Sequence, residues 1–252
     1  MSPPPNATSV HEPPPAVEAR RTAELERTES LAERYARMAH TGFEPRGVDI
    51  VLRGVDVVGA ALALVVLAPL TAVMALAVRV ASGSPVLYRG PRVGRAGRIF
   101  TMYKFRTLTP DAETRLGPFH GGELTQRTEG EVTPVGRVLR ATHLDELPQL
   151  VNVLKGDMAV VGPRPIRPAF FEELCEHIPQ YWQRLVVRPG VTGFAQLRLT
   201  REMTWAEKLA HDLEYIADRS VHLYVRVLVE TAWGIAQKSY DAARGHPAPA
   251  SA

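Results

Sequence analysis

The chain has 252 residues, 45% of them hydrophobic, which suffices for one sizeable domain or two small ones and excludes a wholly disordered chain. Its single cysteine, Cys175, rules out an internal disulfide and any Cys-based zinc site, and fits a cytoplasmic setting. A net charge of +3 suits phosphorylated substrates, an anionic membrane surface or nucleic acid, and does not choose among them.

Residues 1–16 carry two Pro-Pro-Pro runs and almost nothing apolar, and read as a disordered tail. No secretory signal is evident. From Val17 to His40, Glu, Arg and Ala surround thinly spaced apolar residues, the pattern of a charged surface helix. Val57 to Val78 then contains no charged residue. As a straight helix it would reach about 33 Å, enough to span a bilayer. Pro69 inside it removes a donor and clashes with the carbonyl of Val65, so a kink or break is expected there. Both flanks are basic: Arg46 and Arg53 before it, Arg79, Arg89, Arg92, Arg95 and Arg98 after it. Basic flanks prefer the cytoplasm, which favours a re-entrant hairpin over a single pass and leaves a buried soluble helix third. Thr71 can bond a carbonyl one turn back and offset part of the cost of the bend.

Between Tyr88 and Leu108, Gly94 and Gly97 predict a tight turn between two short strands. Strand alternation would point Lys104 and Arg106 the same way, as for an anion, although a basic edge strand would look alike. His143-Leu144-Asp145-Glu146-Leu147-Pro148-Gln149-Leu150 comes next. Leu147, Leu150, Val151, Val153 and Leu154 predict an apolar helix stripe, and Pro148 is tolerated only in a first turn. Asp145 and Glu146 would then sit at the positive end of that helix. Side by side they repel, and a metal ion, phosphates and nearby arginines would balance them; the plainer alternative is an N-cap and a first-turn charge. Arg164 between two prolines, and Arg188 in Arg188-Pro189-Gly190-Val191-Thr192-Gly193, put two more cations on stiffened loops. Last, Val221 to Ala236 reads as an amphipathic helix with His222, Arg226 and Glu230 along one face and Trp233 suited to an interface. It could lie on a membrane or pack on the domain. The tail after Arg244 reads as disordered.

Taken in order, Lys104-Phe105-Arg106-Thr107, Leu144-Asp145-Glu146-Leu147-Pro148-Gln149-Leu150, Asn152 to Met158, Val161-Gly162-Pro163-Arg164-Pro165 and Arg188 to Gly193 resemble the bacterial sugar transferase family, the monotopic phosphoglycosyl transferases in their small form. The resemblance runs from about Arg46 to Tyr240. It implies an α+β, mostly helical fold: a re-entrant membrane helix hairpin over 46–80, then a cytoplasmic catalytic domain over 81–240 with a small β-hairpin and an amphipathic C-terminal helix. Residues 1–45 and 241–252 fall outside.

The implied activity is transfer of a sugar-1-phosphate from a UDP-sugar to polyprenyl (undecaprenyl) phosphate, with release of UMP, at the bacterial inner membrane. The resemblance implies Asp145 as nucleophile and Glu146 as Mg2+ ligand. It implies Lys104, Arg106, Arg140, Asp157, Arg164 and Arg188 as substrate-binding residues. Membrane lipids are implied as a partner, a homo-oligomer is allowed, and nucleic acid is not expected. Two departures stand out. Ala68 replaces a common Ser before the helix-breaking proline, and Glu131 stands where a basic residue is frequent. Rival readings are a glycosyltransferase that releases UDP, and a membrane-bound nucleotide-sugar sensor or scaffold without turnover.

Overall fold

A computed structural model of the protein describes residues 46–112, 115, 127–198 and 203–243, with 238–243 as backbone. The Pro-rich tail, the charged helix expected over 17–40 and the tail beyond Ala243 lie outside the described residues.

The architecture is α+β and mostly helical. It opens with α1 (Gly47–Val66) and α2 (Ala68–Ser82), which meet at a bend of 65°. Pro69 falls in the first turn of α2, where its missing N–H costs nothing. The Thr71 hydroxyl donates to Leu67 O at 2.8 Å, as its position predicts. Neither helix alone is long and apolar enough to cross a membrane; the bent pair together is, by length and composition alone.

Burial divides this pair into two faces. Leu52, Asp56 and Ala60 are buried at four-residue spacing on α1, and Met74 and Val78 on α2. That stripe packs on the rest of the domain. Around it, Val58, Leu62, Val65, Val66, Val73 and Leu76 are exposed. Large apolar side chains bared on both arms of a bend are what a nonpolar phase, not water, would cover.

Polar contacts fix the inner stripe. Asp56 Oδ1 accepts from Val160 N at 2.7 Å and from the Tyr224 hydroxyl at 2.6 Å. Asp49 takes the Arg219 guanidinium through both oxygens, at 2.6 and 3.1 Å. An acidic residue on an otherwise apolar helix is thus accounted for by partners on the domain.

Strands β1 (Leu87–Val93) and β2 (Ile99–Phe105) form the expected antiparallel hairpin, from Leu87 opposite Phe105 to Val93 opposite Ile99. Gly94 N donates to Arg98 O at 2.8 Å, and Gly97 takes a left-handed φ of 74° in the turn. After α3 (Pro134–Ala141) and a 3-10 turn over Leu144–Glu146 comes α4 (Gln149–Lys155). Strand β3 (Ala159–Val161) follows, then α5 (Pro168–His177) and a second 3-10 segment, Tyr181–Val186. Strand β4 (Gly190–Thr192) pairs in parallel with β3.

That second, two-stranded sheet is not anticipated by the sequence, where Arg188 to Gly193 reads as a stiffened loop carrying a cation. Gly190 makes it possible: a Cβ there would lie 2.1 Å from Gly162 N. The chain closes with α6 (Phe194–Arg198), α7 (Trp205–Asp218) and α8 (Val221–Ala243). Helix α8 packs Tyr224 and Val227 into the core with Leu52, Val161 and Phe194, and leaves Val225, Val229 and Trp233 exposed. One face therefore serves the domain, and the exposed side carries these apolar residues beside the Arg226–Glu230 ion pair.

Candidate active site

The carboxylate pair sits on the 3-10 turn between α3 and α4. This corrects the placement expected from sequence. Helix α4 begins at Gln149, with Pro148 just ahead of it, so Asp145 and Glu146 precede the helix and do not occupy its first turn. His143, just before the turn, holds a left-handed φ of 55°, a conformation that costs energy outside glycine.

Two cations converge on Glu146. Lys104 Nζ lies 2.5 Å from Oε1, and Arg164 Nη2 lies 3.8 Å from the same oxygen. Burial pushes the Glu146 carboxyl up, but Lys104 and Arg164 outweigh it and hold the pKa below the ordinary glutamate value. Asn152 keeps β2 and α4 in register for this contact. Its side chain accepts from Tyr103 N at 3.1 Å and donates to Thr101 O at 2.7 Å.

Asp145 is 8% exposed. Burial raises its pKa and Glu146 adds to the rise, against the pull of Lys104, Arg140 and Arg164. Arg140 reaches this side of the pair from α3. Its Nε donates to Thr107 Oγ1 at 2.9 Å. Gly136 lets α3 come that close, because a Cβ there would meet Thr107 O at 2.1 Å.

A polar cavity opens beside Glu146, lined by Arg92, Lys104, Gln149, Arg164 and the backbone of Gly190. The Arg164 loop is itself braced. Arg184 Nη2 donates to Arg164 O at 2.9 Å and pairs with Asp212 at 2.8 Å in the interior.

Of the residues expected from sequence, Lys104, Arg140 and Arg164 gather about Asp145 and Glu146. The other three are engaged elsewhere. Arg106 lies beyond the end of β2, and its guanidinium donates to the carbonyls of Ser82 and Gly83, capping the C-terminal end of α2. Arg188 Nε donates to Gly156 O at 2.9 Å. Asp157 accepts from Asn152 Nδ2 at 3.2 Å. Lys104 and Arg106 thus meet different partners, because strand alternation stops at Phe105.

Arg92, Gln149, Asn152, Arg184 and Asp212 were not singled out by sequence. Gln149 and Asn152 lie inside motifs already quoted, but nothing local shows what they touch. Glu131, the departure noted above, is held down at about 2 by hydrogen bonds from Arg115 and Thr109.

Among the described residues no group of three or more His, Cys, Asp or Glu comes together, so no cage built from protein ligands alone is present there. Two hard carboxylates beside a cationic cavity do fit Mg2+, which commonly takes one or two carboxylates and completes its shell with water and substrate phosphate.

The bacterial sugar transferase family model matches residues 48–238. The chain belongs to that family. A UDP-N-acetylgalactosamine-undecaprenyl-phosphate N-acetylgalactosaminephosphotransferase of Aeromonas hydrophila is 37% identical over 182 residues, 71% of this chain and 42% of that protein. A UDP-glucose:undecaprenyl-phosphate glucose-1-phosphate transferase of Caulobacter vibrioides is 40% identical over 189 residues, 73% of this chain and 69% of that protein. An exopolysaccharide production protein PSS of Rhizobium leguminosarum bv. phaseoli is 37% identical over 196 residues, covering 73% and 94%. The chain therefore spans less than half of the Aeromonas relative and nearly all of the Rhizobium one.

One expected result follows directly from the site's electrostatics. Without added metal, the Asp145 carboxyl should titrate above the ordinary aspartate value of about 3.9. Its ionised form is complete above that raised pKa and is lost as pH falls through it. Carboxyl-carbon NMR of Asp145 across pH 3–8 measures the midpoint; one at or below 3.9 would contradict the geometry.

Proposed function

We propose that this protein transfers the sugar-1-phosphate of a UDP-sugar to undecaprenyl phosphate, the first membrane step of polysaccharide or glycoconjugate synthesis. One observation carries the reading above the others: a buried aspartate under the positive influence of Arg140 and next to a Lys104–Glu146–Arg164 cluster, in a domain seated on an apolar bent helix pair. The names of the relatives support the same substrates.

In the first step an Asp145 carboxylate oxygen attacks the sugar-bearing phosphorus of the donor. The bond from that phosphorus to the bridging oxygen breaks, and UMP leaves with the electron pair. In the second step a phosphate oxygen of the lipid attacks the same phosphorus and frees the Asp145 carboxylate, giving polyprenyl diphosphate sugar. Dividing the transfer in two keeps two bulky phosphates from having to occupy one line of attack. Glu146 would hold Mg2+, which when bound screens the negative charge between carboxylate and diphosphate. Arg140, fixed by Thr107, and Lys104 and Arg164 supply positive charge already oriented where negative charge develops. Arg106, Arg188 and Asp157 act on this site through the frame they brace.

The bent pair α1–α2 enters the cytoplasmic leaflet of the bacterial inner membrane and returns as a re-entrant hairpin. Support comes from the 65° bend, the exposed apolar side chains around it, the inner stripe seated on the domain, and arginines on both flanks. That depth sets the carboxylates where a soluble donor and a lipid acceptor can both reach them.

The released nucleotide tests the reaction class. Purified protein given a panel of UDP-sugars, undecaprenyl phosphate and Mg2+ should release UMP. Release of UDP would mean transfer of the sugar alone, and no nucleotide release with any donor would favour a sensor or scaffold.

A further inference from the structure

Arg92 stands on β1 with only 9% of its surface exposed. It belongs to none of the residues assigned above to the two chemical steps. Its Nη1 donates to the neighbouring Pro91 O at 2.7 Å, and its guanidinium lies 6.0 Å from the centroid of the Tyr88 ring. No carboxylate pairs with it among the described residues. The other guanidinium groups that bear on it, Arg167 and Arg164, repel it. A cation taken out of water without a counter-charge is costly, and such groups are normally paired.

Its side chain forms part of the wall of the cavity beside Glu146. Arg92, Lys104 and Arg164 line that cavity against the single carboxylate of Glu146, so without a metal ion positive charge exceeds negative by two. Gln149, 2% exposed, adds an uncharged amide to the same wall. Two surplus positive charges around a polar cavity match one doubly charged phosphoryl group. Guanidinium geometry matches its oxygens.

We propose that Arg92 is a phosphate-binding residue, which with Lys104 and Arg164 holds the phosphate dianion of the lipid substrate or of the UMP product and finds its counter-charge only when that ligand is bound. The chemistry is common to the nucleotide's phosphate and the lipid's, and the two are separated by experiment. The choice of ligands rests on the proposed function; the binding itself does not require turnover.

Full-length protein in detergent, without a sugar donor, is titrated calorimetrically with UMP, with uridine and with undecaprenyl phosphate. Wild type, Arg92→Gln and Arg92→Lys are compared, and each is melted without ligand. Arg92→Gln should weaken UMP, undecaprenyl phosphate or both by about tenfold, the value of a charge-assisted phosphate contact. The arm that weakens names the source, and uridine should not change. The ligand-free variant should melt at or above the wild-type temperature, because an uncompensated buried charge has been removed. Arg92→Lys should fall between. Loss of less than about fivefold in both arms overturns the proposal. A lowered melting temperature with intact affinities overturns it too, and makes Arg92 a strut for Pro91 and Tyr88. Should Arg92→Gln not fold, Arg92→Lys decides by the same criteria. If phosphate binding depends on Arg92 while turnover releases UDP, the proposed function fails and this inference stands.

Discussion

Asp145→Asn should reduce UMP release by about a thousandfold or more, as expected when the atom that makes the covalent bond is lost. The substitution keeps the side chain's size and removes the anion. It also relieves the repulsion between Asp145 and Glu146 and ends the cost of burying a charge there. Stability should therefore hold or rise while activity falls. Retained thermal stability with lost turnover separates a chemical role from a structural one. A variant with activity within tenfold of wild type would remove Asp145 from the mechanism. So would one that lost activity only because it melted early.

Lys104→Met should act on both stability and rate. Lys104 and Glu146 are 19% and 14% exposed at 2.5 Å, so the pair is largely withdrawn from water. Removing the ammonium strands Glu146 beside Asp145, with the more distant Arg164 and His143 as the remaining positive influences. Breaking a buried pair from one side costs about 3 kcal/mol or more, much of it the cost of the partner left behind. Lys104 is also the largest of the cationic influences on Asp145, so the Asp145 carboxyl should titrate higher still. Turnover at neutral pH should fall by about a hundredfold, as when a fixed charge is taken from a transition state. Lys104→Arg, which keeps the charge in a planar fork of different shape, should recover stability better than rate. Melting temperature, turnover and the Asp145 titration are the three measurements. A Lys104→Met protein unchanged in all three would show the ion pair to be incidental.

What the chain discloses without coordinates follows from how local each signal is. Pro69 bends the apolar run because its ring acts on the turn just before it. The Gly94–Gly97 turn closes the hairpin because both strands adjoin it. Lys104 and Glu146 each stand out as charges in apolar motifs, although only the fold shows them in contact. Arg106 is the instructive exception. Two-residue spacing put it beside Lys104, but β2 ends at Phe105 and the carbonyls at the end of α2 take its guanidinium.

The remaining signals are long-range. The β3–β4 pairing joins three-residue strands, too short for an alternation to register. The Arg184–Asp212 pair that braces the Arg164 loop joins a 3-10 segment to α7, and no periodicity links the two. Asp56, one residue ahead of the apolar run, gives no local sign that Val160 and Tyr224 meet it. Arg92 reads as one more arginine in a basic flank, and only burial marks it out.

The covalent step can be caught directly by intact-protein mass spectrometry. Protein mixed with its UDP-sugar and Mg2+, with no lipid acceptor present, should gain one phosphosugar at Asp145 and release an equal amount of UMP. Addition of undecaprenyl phosphate should then clear the adduct. An active enzyme that shows no adduct under these conditions, or shows the same adduct in Asp145→Asn, would contradict the assignment of Asp145 as the nucleophile.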